Sequence, residues 1–134
     1  MIDKFGNEVS NKRVYGTPGT PRFKVTRPDE NCDTIPESLQ KNYRSGVGML
    51  LYLIKYSRPD LSNAVRELSK CMDRATYGTY QEMLRVVKFV LDTKNYCLKI
   101  QPNFDSKNWK LKVFSDSDWA GDPETRMSVT GFII

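Results

Sequence analysis

The chain has 134 residues, 39% of them apolar and 28% charged, and a formal net charge of +5. That length suits one modest domain or pieces of two, and the composition can fold without a large apolar excess. Histidine is absent, which excludes Ser-His-Asp and Cys-His catalysis, H-E-x-x-H zinc proteases and histidine-based deaminases.

Any metal chemistry must then use oxygen ligands, which favours magnesium, manganese or calcium. Cys32, Cys71 and Cys97 lie far apart with no C-x-x-C pair, so they read as buried free thiols rather than a disulfide framework or zinc finger. The most apolar run, Val47 to Ile54, is far shorter than the roughly 20 residues of a membrane span. The N-terminus has no apolar core of a secretory signal, so the expectation is an intracellular protein with no membrane partner. Charge is divided unevenly. Residues 1–40 hold six basic and six acidic side chains, 41–112 fourteen against six, and 113–134 one against four. A basic middle beside an acidic tip suits a polyanion grip next to a cation site, and equally suits solvated helix faces.

The first 36 residues carry Pro18, Pro21, Pro28 and Pro36 with Gly16 and Gly19, a pattern that leaves no room for a long element and reads as an irregular arm or linker. Three helical signals follow. Tyr43, Val47, Leu50, Leu51 and Ile54 recur at helical spacing, with Gly46 and Gly48 inside the pattern. Glycine there costs roughly 1 kcal/mol against alanine, so either a kink is tolerated or another backbone passes close by. In the second, Pro59 and Asp60 are start signals for a stripe of Leu61, Val65, Leu68 and Met72. The third opens with Thr79 and Glu82 in capping-box spacing, and Met83, Val87, Val90 and Leu91 form its apolar face while Arg85 and Lys88 project elsewhere. All three stripes read as core.

After Asn95 the period changes to two. Tyr96, Leu98 and Ile100 alternate in one expected strand, Trp109, Leu111 and Val113 in a second, and residues 128–134 read as a further strand. The fold class is therefore α+β: arm 1–36, helices 37–95, strands 96–134.

Directly behind the second strand stands FSDSDWAGD, residues 114–122. The alternation places Asp116 on the face of Phe114, and Asp118 too if the strand persists. Asp116, Asp118 and Gly121 fit positions 1, 3 and 6 of a calcium loop, but Ala120 and Met127 stand where that loop needs ligands. Two divalent ions about 4 Å apart need carboxylates from several elements, and only one cluster is present. Taken alone, the cluster reads as an acidic turn facing water.

Five stretches in register carry a resemblance: YRSGVGMLLYL at 43–53, SRPDLSNAVRELSK at 57–70, MLRVVKFVLDTKNYCLKI at 83–100, SDSDWAGD at 115–122 and SVTGF at 128–132. In their order and spacing the chain resembles the pol polyprotein of copia-type LTR retrotransposons, over roughly residues 17–134, where the reverse transcriptase runs into ribonuclease H. The resemblance implies that 37–95 is like the polymerase thumb, a three-helix bundle, and that 96–134 is the start of an incomplete ribonuclease H-like sheet of two to four strands. It implies that Asp116 matches the first catalytic, magnesium-coordinating carboxylate, whereas Asp118 and Asp122 match positions not counted as catalytic. The family's palm aspartates and remaining ribonuclease H carboxylates are not in this sequence. The expectation is a fragment of an RNA-directed DNA polymerase/ribonuclease H without turnover of its own, and without tight magnesium binding.

In such a parent the expected partners are the RNA/DNA template-primer and the remainder of the polyprotein, in a cytoplasmic virus-like particle and the nucleus. Lys41, Arg44, Lys55, Arg85 and Lys88 are the expected phosphate contacts. Gly46 and Gly48 would permit close approach to the duplex minor groove, or close packing on a neighbouring helix. A domesticated, non-catalytic nucleic-acid-binding module is the rival reading.

Overall fold

The computed structural model describes residues 1–29, 32–99, 112–122 and 125–133. They fall into two units, Met1–Leu98 and Lys99–Ile134. The first unit is helical: α1 (Ile2–Val9), α2 (Glu37–Tyr56), a 3-10 turn at Pro59–Leu61 running into α3 (Ser62–Ser69), and α4 (Tyr77–Asp92).

Helix α1 corrects the expectation of an irregular N-terminal arm. Eight residues with Gly6 among them form a marginal helix in isolation. Phe5 and Val9, one turn apart, are fully buried in the common core. Packing therefore holds α1 where propensity does not, and the short apolar row of Ile2, Phe5 and Val9 at helical spacing was overshadowed by the prolines and glycines that follow it. The Tyr80 hydroxyl of α4 adds a hydrogen bond to Glu8 at 3.0 Å.

Beyond α1 the described residues up to Pro36 are irregular, apart from a lone bridge between Thr34 and Thr76, and charged side chains of α3 and α4 clasp them. Backbone that pairs with no strand must find partners elsewhere. The Thr20 amide and hydroxyl donate to the Glu82 carboxylate, Arg85 donates to the Gly19 carbonyl at 3.3 Å, and the Val25 amide donates to Glu67 at 3.0 Å. Gly19 sits against Ala64, whose Cβ would lie 3.1 Å from an added Cβ. Residues 1–36 are thus part of the helical unit.

The apolar stripes meet as expected from their spacing, except that Leu51 of the first stripe is 42% exposed. Tyr43, Val47 and Leu50 of α2, Leu61, Val65 and Leu68, and Met83, Val86, Val87 and Val90 of α4 close one core. Met72 and Leu91 lie partly buried at its margin. The cap of α4 differs from its expected place. Thr76 accepts from the Thr79 amide while the Thr79 hydroxyl accepts from the Thr76 amide, so the box is Thr76–Thr79 and the helix starts at Tyr77. Glu82, released from capping, reaches the irregular segment instead.

The second unit contains one antiparallel hairpin among its described residues, β1 (Phe114–Asp118) with β2 (Val129–Ile133). Asp116 stands opposite Gly131, and Asp118 opposite Val129. The expected strand at 96–101 is not formed over Tyr96–Lys99. Ile100, Trp109 and Leu111 lie outside the described residues.

Candidate nucleic-acid interface and acidic hairpin

Burying Tyr43, Val47 and Leu50 turns the opposite face of α2 to solvent, and that face is not bland. Arg44, Gly48, Tyr52 and Tyr56 follow one another at four-residue intervals and are all exposed, with Lys41 and Lys55 beside them. Tyr52 and Tyr56 are 64% and 63% exposed. Their rings lie 4.6 Å apart, and the Lys55 ammonium sits 5.3 Å from the Tyr56 ring centre. A Cβ at Gly48 would meet no described atom within 4 Å. The ridge therefore offers cation, gap, ring and ring over a helix about 30 Å long.

The two expected glycines part company here. Gly46 is buried: an added Cβ would stand 2.5 Å from Met83 Sδ and 3.2 Å from Phe5 Cζ. It is the point where α1 and α4 close on α2. Gly48 alone faces outward.

The five expected phosphate contacts also separate. Lys41, Arg44 and Lys55 are exposed on α2. Arg85 is taken up by the fold, donating to Thr17 and Gly19, lying 3.8 Å from Glu82 and stacking 4.3 Å from the Tyr15 ring centre. Lys88 is paired with Asp92 at 2.8 Å. Sequence reasoning missed Tyr52 and Tyr56, although the four-residue repeat from Arg44 through Gly48 was there to find them.

On the hairpin, β1 persists to Asp118, so Asp116 and Asp118 share one face with Phe114 and both are exposed. The Asp118 carboxylate folds over Gly121, where an added Cβ would collide with it. Asp122 builds the connecting turn: its carboxylate accepts from the Thr125 amide at 2.9 Å and from its hydroxyl at 3.0 Å. Among the described residues no three His, Cys, Asp or Glu side chains converge on one point. Asp116 is a single exposed carboxylate on β1, and the described donor set does not fit a two-ion centre. No helix among the described residues is long and apolar enough to cross a membrane.

A basic helical unit and an acidic hairpin in one chain find their match among mobile-element proteins. The chain is 26% identical over 137 residues to the Retrovirus-related Pol polyprotein from transposon TNT 1-94 of Nicotiana tabacum, covering 99% of this chain and 10% of that protein. It is 35% identical over 92 residues to the Retrovirus-related Pol polyprotein from transposon RE1 of Arabidopsis thaliana, covering 69% of this chain and 6% of that one. It is also 36% identical over 91 residues to Secreted RxLR effector protein 161 of Plasmopara viticola, covering 68% of this chain and 62% of that protein. The chain is thus related to one segment of the Pol polyproteins of plant retrotransposons, and spans less than two thirds of each of these relatives. No family model and no solved structure matches.

Proposed function

We propose that the chain is a copia-type pol segment in which the helical unit is thumb-like and holds an RNA/DNA template-primer, and the hairpin opens a ribonuclease H-like fold. The observation that carries the reading is the exposed α2 ridge of Arg44, Gly48, Tyr52 and Tyr56, flanked by Lys41 and Lys55, in a chain that aligns over 99% of its length with a Pol polyprotein. Cations on such a ridge hold phosphates whatever the sequence, and release counterions in doing so. Gly48 leaves room for a sugar-phosphate backbone to come close, and exposed rings stack on sugars and bases without sequence preference. Asp116 is the proposed first carboxylate of the ribonuclease H magnesium site, the remaining ligands coming from other elements of the parent. No hydrolytic step is assigned to this chain.

The test is binding of the purified chain to a labelled RNA–DNA hybrid across a salt series. Affinity should fall with salt, and Tyr52→Ala should weaken binding by about tenfold, on the order of the 1–3 kcal/mol of one stacking contact. Undiminished affinity in both Tyr52→Ala and Gly48→Leu would overturn the ridge. In an intact parent polyprotein, Asp116→Asn should abolish RNA-strand cleavage and spare DNA synthesis; retained cleavage would remove Asp116 from the site.

The second reading is a domesticated, non-catalytic nucleic-acid-binding module; it draws on length alone, since this chain covers 62% of the Plasmopara relative against 6% and 10% of the two Pol polyproteins. Such a module would bind hybrid equally well with and without magnesium.

A further inference from the structure

The first turns of α2 carry charge that the fold leaves unused. An open cleft of about 700 Å³ lies there, lined by Lys41, Arg44 and Arg74 together with Glu37, Asp73 and Ser38. The described ion pairs match Arg58, Arg66, Lys70, Arg85 and Lys88 with carboxylates. Lys41 is exposed and stands outside all of them. Arg44 is fixed differently: its Nε donates to the Met72 carbonyl at 2.7 Å and its Nη2 to the Asp73 carbonyl at 3.4 Å. Carbonyl partners hold a guanidinium in place without cancelling its charge, and so preorganise it for an anion.

We propose that this cleft seats one ribose-phosphodiester unit of an RNA strand, the phosphate against Lys41 and Arg44 and the 2′-hydroxyl against Glu37 or Asp73. The mix of groups selects this ligand. Lys41 and Arg44 supply cations for a phosphate, and the Glu37 and Asp73 carboxylates stand in the same lining. A free phosphate near −2 would have to sit beside two carboxylates. A carboxylate accepts from a hydroxyl, and the sugar of RNA supplies that donor where the sugar of DNA does not. A volume of this size is that of an ordinary small-ligand cleft, ample for one nucleotide unit. Lys41 and Arg44 also begin the α2 ridge, so a strand leaving the cleft continues toward Gly48 and Tyr52. The inference rests on the duplex-holding reading and adds which strand lies at this end.

The experiment measures Kd of the full chain for an RNA–DNA hybrid and for a DNA duplex of the same sequence, over a salt series, with inorganic phosphate as competitor. Lys41→Glu should raise Kd for the hybrid about tenfold and lower the magnitude of the salt slope by about one. Asp73→Ala should cut the preference for hybrid over DNA duplex about fivefold and leave the slope alone, since it removes the acceptor of a sugar contact and not a cation. Both side chains are exposed, so thermal melts should match the parent chain. Equal affinity of the unaltered chain for hybrid and DNA duplex would overturn the ribose contact. Displacement of the hybrid by millimolar inorganic phosphate would overturn the diester assignment. Undiminished binding in Lys41→Glu alongside weakened binding in Tyr52→Ala would overturn the cleft and leave the ridge standing. Failure of the unaltered chain to bind any probe would overturn both.

Discussion

The Tyr43 hydroxyl of α2 donates to the Leu68 carbonyl at the end of α3 at 2.7 Å, with both residues fully buried. That bond ties two helices through the middle of the core. Tyr43→Phe leaves the Leu68 carbonyl with the Cys71 amide alone, at 3.3 Å, and should cost about 0.5–1.5 kcal/mol in chemical denaturation. Burial pushes the Tyr43 hydroxyl well above its ordinary range, and burial with the nearby Glu8 pushes Tyr80 up to about 12. Both folded values lie above the unfolded one near 10, so this stability is complete below about pH 10 and is lost as pH rises through the folded values. Unfolding should steepen above pH 10 in the natural chain, and less so in a Tyr43→Phe, Tyr80→Phe double variant.

The glycines of α2 make a matched pair for a stability measurement. Gly46→Ala drives a methyl against Met83 and Phe5 inside the core and should destabilise by about 1–3 kcal/mol. Gly48→Ala meets open space and should stabilise by about 0.5–1 kcal/mol. Urea midpoints moving in opposite directions would bear this out; a shared direction would mean that the two faces of α2 have been misassigned.

Arg58 is a buried guanidinium that serves three neighbours. It donates to Asp60 at 2.8 and 2.9 Å, to the Thr93 carbonyl at 3.1 Å, and lies 5.5 Å from the Phe89 ring centre. Arg58→Ala should cost on the order of 2–3 kcal/mol, because the end of α4 loses its link to the turn before α3. Asp60→Asn should cost under about 1 kcal/mol, since that carboxylate is nearly half exposed and screened by water. The Arg58 hydrogen bond holds the Asp60 carboxyl below its usual range. A depressed folded value means that this contribution is present above the unfolded value near 4 and fades as pH falls through the folded one. Acid titration of the two variants by circular dichroism checks the sign.

In the hairpin, Ala120 adopts φ 52°, a left-handed conformation that costs a residue with a Cβ about 1 kcal/mol. Ala120→Gly should therefore be neutral or mildly stabilising, whereas Gly121→Ala should push the Asp118 carboxylate off its seat. Cross-strand NOEs between Asp116 and Gly131 should survive the first change and weaken in the second.

The helices of the core were legible because Val47, Leu50, Val65, Leu68, Met83 and Val87 repeat at helical spacing and bury on that schedule. Helix α1 was not, although Ile2, Phe5 and Val9 stand at helical spacing, because one short row ahead of a proline- and glycine-rich stretch was outweighed by it. The cap of α4 was misplaced for a related reason: Thr79–Glu82 has the right spacing, but Glu82 is drawn to Thr20, some sixty residues earlier in the chain. Charge was the least legible property. Arg85, Lys88 and Lys41 look alike in the sequence, and only tertiary contacts decide that the first two are occupied. The outward glycine and the tyrosines after it were readable in principle, since all lie on one four-residue row.

The clasped stretch between α1 and α2 has a practical consequence for anyone dividing the chain. A cut at Pro36, where the regular helices begin, would strip Glu67, Glu82 and Arg85 of their backbone partners and leave Gly46 facing the hole vacated by Phe5. The shortest soluble version of the helical half should accordingly begin at Met1, and trimming the apparently dispensable leader would yield an aggregating product.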